Sequence, residues 1–305
     1  MEKQIYSRQD SSIRWLPISF ILLQSTFYGF GDPISKSAYE VLPVFSLLSV
    51  RYGIALIFLL LVFGKRIHRS LHTCPLQELI LPSLCMAGAY VCGNIALDFT
   101  AATTVAFLRS LSTVTTPVLS LLLFRKKIDK KHLPILVLAV LGLYLLCGLG
   151  GLSGFGWGEF LSLFTAFLLS GALIFGEQAM EHCDPITLTV VQTSMSAAMA
   201  LCCAVLFEHG IHLEAATVTH WAIIVYLALT CTVAGYLLQN SALKHISART
   251  VALLQCICPV MTGFFSWLIL GEKLSVAGLV GAAILLFCVI VETLMKDEKT
   301  DNSCA

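Results

Sequence analysis

The chain has 305 residues and a formal net charge of +1. It is 57% apolar and only 12% charged, with a mean hydropathy of +0.87. Soluble domains hold roughly 45–50% apolar residues. So few charges cannot clothe a soluble surface, so the class is integral membrane protein, and the near-zero net charge excludes a nucleic-acid binder.

The first fourteen residues are polar and end in Arg14. The apolar run that follows is too long for a signal-peptide core and has no A-x-A-like cleavage site, so it reads as a retained first span. Stretches long enough to cross about 30 Å of hydrocarbon fall near 15–38, 43–63, 76–98, 101–124, 132–149, 157–179, 185–207, 218–243, 247–270 and 274–295. Polar punctuation separates them, such as "GKRIHRSLHTCP", "RKKIDKK" and "EHCDP". Twelve cysteines, most of them inside apolar runs, with no C-x-x-C pair, read as buried, reduced thiols.

Charge placement orients the ten spans. With a cytoplasmic N-terminus, fifteen Lys and Arg fall in inside segments and only Lys36 and Lys273 in outside segments, while Arg51 and Arg109 lie within spans. This is a strong positive-inside bias. It places both termini in the cytoplasm and the protein as a multi-pass component of the plasma membrane.

Self-similarity carries the most information. "YVCGNIALDFTAATTVAFLRSLSTVTTPVLSLLLFRKK" from Tyr90 aligns without gaps, at an offset of 146, with "YLLQNSALKHISARTVALLQCICPVMTGFFSWLILGEK" from Tyr236. Tyr90 meets Tyr236, Asn94 meets Asn240, and Arg109 meets Gln255. The offset lays spans one to five over spans six to ten. Each half has an odd number of spans, so the halves insert in opposite orientations, with a site expected near the midplane where they meet. The expected fold is all-α, ten transmembrane helices in two inverted five-helix repeats. The chain divides into a cytoplasmic segment 1–14, a first repeat 15–149, a second repeat 150–295 and a cytoplasmic tail 296–305.

The candidate site follows from depth and polarity. Tyr90 and Asn94 share one face of span three, and Tyr236 and Asn240 repeat the arrangement in span eight. These faces either line a cavity or hold helices together by hydrogen bonds. Arg109 lies about 12 Å into span four from its outer end, and Gln255 equally far into span nine from its inner end. The clear acid within a span is Asp32, in "YGFGDPISK", where Gly29, Gly31 and Pro33 are expected to weaken the helix. Its natural partner is Arg51, which leaves Arg109 to face water or a substrate carboxylate. The structural alternative holds Arg109 against backbone carbonyls or Glu177. Gln24 and Tyr28 join Arg109, Gln255, Tyr90, Asn94, Tyr236 and Asn240 as expected substrate-binding residues. Phe27, Phe175, Gln192 and Trp267 are further candidates for the walls. Asp32 and Glu177 are the coupling-ion candidates, for a proton or sodium ion.

Other features are weaker. "EHGIHLE" reads as a solvated outer loop rather than a metal site. The small-residue face of span ten, Ala277 with Gly281 and Gly278 with Ala282, fits a packed helix or a second protomer. No H-E-x-x-H, G-x-S-x-G or Walker A pattern is present, so neither an enzyme nor an ATP-driven pump is expected, and no cofactor. The partners expected are a small-molecule substrate, membrane lipid and a coupling ion, with no nucleic acid, in a monomer or homodimer.

The sequence resembles the drug/metabolite transporter superfamily, EamA-type, across nearly its whole length. The resemblance rests on "LLSVRYGIAL" around Arg51, the N-x-A-L turns at Asn94 and Asn240, the span-six opening "GWGEFLSLFTAFLLSGALIFGEQ" and "CPVMTGFFSWLILGEKLSVAGLVGAAIL". It implies ten helices in two repeats, alternating access and often export of amino acids or related compounds. Thr113 stands where the second half has Pro259, and Arg109 where such helices usually carry an uncharged residue. The leading expectation is an exporter of a small polar or amphipathic, carboxylate-bearing metabolite. The alternatives are a proton-coupled drug or cation exporter and a non-transporting scaffold or receptor.

Overall fold

The computed structural model describes residues 2–71, 74–124, 133–145, 156–271 and 275–295. The basic loop after span four, Glu272, Lys273 and the charged tail lie outside them. Among the described residues the chain forms ten helical rods. These are α1 (Glu2–Tyr39), α2 (Val44–Leu71), α3 (Leu76–Phe99), α4 (Ala102–Ser110 and Ser112–Phe124) and α5 (Leu133–Leu143). The second half supplies α6 (Trp157–His182), α7 (Pro185–Phe207), α8 (Val218–Leu243), α9 (Ala248–Leu254 and Ile257–Leu270) and α10 (Val276–Leu294). Eight are long and apolar enough to span a membrane by length and composition. The polar start of the chain is drawn into α1, which runs on from Glu2 without a break. The result is an all-helical membrane fold of two inverted repeats. Below, the two ends are called outer and inner after the charge bias.

The halves interlock. α3 packs along α6 and α1 along α8, two pairings that the repeat relates to each other. α2 against α7 and α5 against α10 straddle the pseudo-two-fold axis. Tyr90 and Tyr236, equivalent by sequence, meet with ring centroids 5.4 Å apart, so the axis passes between them. The small-residue face of α10 packs within the chain. A Cβ on Gly142 of α5 would stand 3.2 Å from the Gly281 carbonyl oxygen.

The glycines of α1 act differently from the sequence expectation. The helix is continuous through Gly29, Gly31 and Pro33. Its glycines instead let neighbours approach. A Cβ on Gly29 would collide with the Met261 Cβ of α9, and one on Gly31 would stand 2.6 Å from the Cys231 Sγ of α8. The helices that do break are α4, α8 and α9. α4 breaks at Leu111, whose N–H bonds the Leu108 carbonyl at 3.2 Å, three residues back. α9 breaks at Gln255 and Cys256, where the Cys256 N–H bonds Leu253 in the same way at 3.1 Å. In α9 the cause is Pro259. It lacks the N–H that would bond Gln255, whose carbonyl takes the Cys258 N–H at 2.9 Å instead. α4 has Thr113 at the matching position, and its hydroxyl crosses to the Ala252 carbonyl of α9 at 2.9 Å. α8 carries a π-helical stretch over Leu227–Ala234, a local widening frequent at functional sites.

Each end is fastened between the repeats. At the outer end the Glu208 carboxylate accepts from the backbone N–H groups of Phe45 and Ser46, both at 2.8 Å, capping α2. At the inner end Arg66 pairs with Asp184 at 2.9 Å and His182 meets Glu78 at 3.2 Å. Beside them Cys74 and Cys183 form a disulfide with Cα atoms 5.3 Å apart. This corrects the reading of all cysteines as reduced thiols: two linkers distant in sequence are brought together where the repeats meet.

Candidate functional site

The middle of the bundle is polar. An outer cavity is lined by Asp32 and Ser35 of α1, Arg51 of α2, Tyr90 and Asn94 of α3, Arg109 of α4 and Cys231 of α8, among others. It measures about 20 Å³. An inner cavity of about 30 Å³ is lined by Ser25, Tyr28, Ser110, Ser112, Gln239, Gln255 and Cys258. Tyr28, Tyr90, Leu169 and Arg109 line both. Each volume holds about one or two waters. Neither cavity has room for more than that in this conformation.

The ion pair differs from the sequence expectation. Arg109 donates from both terminal nitrogens to the Asp32 carboxylate, at 2.5 and 3.3 Å. Asp32 is 8% exposed, with one further, long contact from the Thr262 hydroxyl at 3.5 Å. Arg51, expected to pair with Asp32, instead donates Nε to the Thr232 hydroxyl at 3.0 Å and lies over the Tyr52 ring at 5.3 Å. It is 3% exposed, and among the described residues no carboxylate is within ion-pair range of it. The reason lies in the chain path. Arg109 lies within the tightened turn of α4, between Leu108 and Leu111, and α4 and α9 cross beside α1, which delivers Arg109 to Asp32. Arg51 is turned to the π-helical stretch of α8, where Thr232 receives it. Among the described residues lining the outer cavity, Arg51 is therefore the charge without a counter-ion.

The second half answers Arg109 with amides. Gln255 donates to Gln24 at 3.1 Å and to Gln239 at 3.0 Å, and Gln24 donates to Gln239 at 2.9 Å. Gln24 also reaches the Tyr28 hydroxyl at 3.3 Å.

The expected residues sort into three groups. Arg109, Tyr90, Asn94, Tyr28 and Gln255 line the cavities, with Gln24 behind Gln255. Asn94 is held by Tyr39, whose hydroxyl donates to it at 2.7 Å. Tyr236 is wholly buried against Tyr90. Asn240 is turned away, donating to Thr189 at 3.0 Å and Gln192 at 2.8 Å in α7; it and Gln192 hold helices together. Trp267 is 53% exposed on the outside of the bundle, and Phe175 lies at a separate inner-end pocket. Glu177 accepts from the Ala248 N–H at 2.8 Å and so caps α9. Among the two coupling candidates, Asp32 alone belongs to the cavity. Sequence reasoning missed Thr232, Ser25, Gln239 and Cys258. Cys258 opens the quoted "CPVMTG" stretch without standing out in it, the other three have no motif, and the π-helical register that turns Thr232 inward leaves no composition signal.

An all-helical membrane bundle of two inverted repeats, with a closed polar site where they meet and tightened helices beside it, is the architecture of a membrane transporter. The EamA-like transporter family model matches residues 15–148 and again 156–293, and the chain belongs to that family. Among its relatives is an uncharacterized transporter of Archaeoglobus fulgidus, 25% identical over 90% of this chain and 84% of its own length. The uncharacterized transporters YyaM and YetK of Bacillus subtilis are 22% and 24% identical, over 86% and 87% of this chain and 85% and 83% of theirs. A crystal structure 18% identical superposes with a TM-score of 0.74, covering 93% of this chain and 97% of its own, and supports the fold alone.

Proposed function

We propose that the protein is a secondary active transporter of a small carboxylate-bearing metabolite, an amino acid or a related compound, working by alternating access through the Arg51–Asp32–Arg109 cavity. The observation that carries this reading is the charge count of the cavity. Asp32 neutralises Arg109, while Arg51 faces the same space with a hydroxyl and a ring for partners. A lone guanidinium inside a membrane protein is costly and marks a pathway. An incoming carboxylate would bring the cavity to neutrality and meet the planar donor fork of arginine. The same count opposes a cationic drug as the cargo. Closure of the site supports alternating access, since cavities this small admit substrate only by rearranging. Export is the direction that the superfamily resemblance implies. The charge bias supports a plasma-membrane protein with both termini in the cytoplasm.

A thermal-shift screen of purified protein against carboxylates such as L-lactate and L-alanine and amines such as choline tests the sign of the ligand. A ligand that binds the folded state raises the melting temperature. Stabilisation by carboxylates is expected. Stabilisation by amines alone contradicts the reading, and flux in proteoliposomes separates a transporter from a scaffold or receptor.

A further inference from the structure

Beside the charged outer cavity lies an inner one with a different chemistry. Four shared lining residues make the two adjacent. Among the described residues no carboxylate lines the inner cavity, and the one charge on its wall, Arg109, is committed to Asp32. The rest of its polar wall is amide, hydroxyl and thiol. Among the described residues two of these groups have no hydrogen-bond partner: the Ser25 hydroxyl and the Gln239 amide nitrogen. Their residues are 0% and 2% exposed. Gln239 is used on one side only. Its carbonyl accepts from Gln24 and Gln255, and its NH₂ group is left over. A neighbouring hydroxyl on the same wall, Ser110, is satisfied by the Ala106 carbonyl at 2.7 Å, so missing partners are not general to this wall. Native proteins keep few buried polar groups unpaired, and each calls for an explanation.

We infer that the inner cavity is a second subsite of the transport site, built to take an uncharged hydrogen-bonding group, an amide or a hydroxyl, at the far end of a substrate whose carboxylate lies at Arg51. This rests on the carboxylate reading of the outer cavity. An acceptor on the substrate satisfies the Gln239 NH₂ group, and a donor or acceptor satisfies Ser25. An apolar tail strands both groups when the site closes around it, and a site built to hydrogen-bond a group discriminates strongly against the analogue that lacks it. A cationic tail meets Arg109.

Calorimetry on the purified full-length chain with L-glutamine, L-norleucine and L-glutamate tests this. The three share one carboxylate-bearing end and differ in the tail. L-Glutamine is expected to bind about tenfold or more tighter than L-norleucine, the effect of one or two buried hydrogen bonds, and tighter than L-glutamate. Gln239→Leu and Ser25→Ala should each shrink the preference for L-glutamine over L-norleucine. Ser25→Ala, which removes a hydroxyl without a partner, should not lower the melting temperature of the unliganded protein, so it remains informative if Gln239→Leu misfolds. Equal binding of L-glutamine and L-norleucine overturns the subsite, as does a preference for L-glutamate. Binding that keeps the tail preference but ignores Arg51→Gln overturns the carboxylate reading instead, and no binding of any of the three overturns both.

Discussion

Spans four and nine occupy equivalent places in the two repeats, and both tighten where they reach the site. Yet α4 presents Arg109 there and α9 presents Gln255. The difference continues into their partners. Arg109 is answered by the carboxylate of Asp32, and Gln255 by the amides of Gln24 and Gln239. Both sets use α1, which packs against both α4 and α9. Duplication thus supplied one scaffold twice, and the site was made asymmetric by changing side chains at a fixed backbone position. One half carries charge in balance, the other carries neutral hydrogen bonds, and the unbalanced charge sits on a third helix, at Arg51.

The largest effect is expected from making the first half copy the second. Sequence comparison alone argues that Arg109→Gln leaves the protein folded and inserted, because Gln255 shows that the position accepts an amide. The structure reverses this, since the change strands Asp32 in the core. Breaking a buried pair from one side costs about 3–5 kcal/mol, so Arg109→Gln should melt early in detergent. The charge-balanced double variant Asp32→Asn with Arg109→Gln should recover most of the loss. A single variant as stable as the parent would show that the pair contributes nothing to folding.

The reverse exchange is expected to cost less. Gln255→Arg puts a guanidinium at the equivalent depth, where Gln255 meets the amides of Gln24 and Gln239 and, among the described residues, no carboxylate lines the cavity. Transfer of an arginine to a helix centre costs about 2.5–3.5 kcal/mol on the insertion scale. Reduced yield of inserted protein measures this. Normal insertion would show that the inner cavity tolerates charge, contrary to the contrast drawn between the halves.

Much of this was legible in the sequence. The odd number of spans per half, the offset of 146 and the depth of Arg109 and Gln255 follow from apolar periodicity and a gapless repeat. These signals survive because each residue's place along a helix is fixed by 1.5 Å of rise. What a helix's neighbours do to its rotation is not carried in that way. The pairing of Asp32 depends on which of two arginines is turned toward α1. That was decided by the tightened turn after Arg109 and by the π-helical stretch opposite Arg51. Glycines in α1 read as helix weakeners and proved to be contact points for α8 and α9. Asn94 and Asn240 are identical in the repeat, and only one reaches the cavity. The Cys74–Cys183 link joins loops 109 residues apart and has no local signature.

The smallest effect sharpens the role of the π-helical stretch of α8. Thr232→Val keeps the shape and removes the acceptor of the Arg51 Nε proton. Loss of one such bond is worth about 0.5–1.5 kcal/mol, expected as a modest weakening of carboxylate affinity with little change in melting temperature. An unchanged affinity would show that Arg51 is placed by Tyr52 and packing alone.

The central claim is that Arg51, and not Arg109, is the cation that receives the substrate carboxylate. Its most direct test is the affinity of Arg51→Gln for the best carboxylate ligand, measured by calorimetry beside the Asp32→Asn, Arg109→Gln double variant. A charge-assisted hydrogen bond in a desolvated site is worth about 1.5–3 kcal/mol, or roughly ten- to hundredfold in affinity. Arg51→Gln should fold and lose that much, with Arg51→Lys recovering only part of it because an ammonium lacks the planar fork. The double variant should still bind the ligand. Binding by Arg51→Gln at the parent affinity, with loss confined to the double variant, would contradict the account.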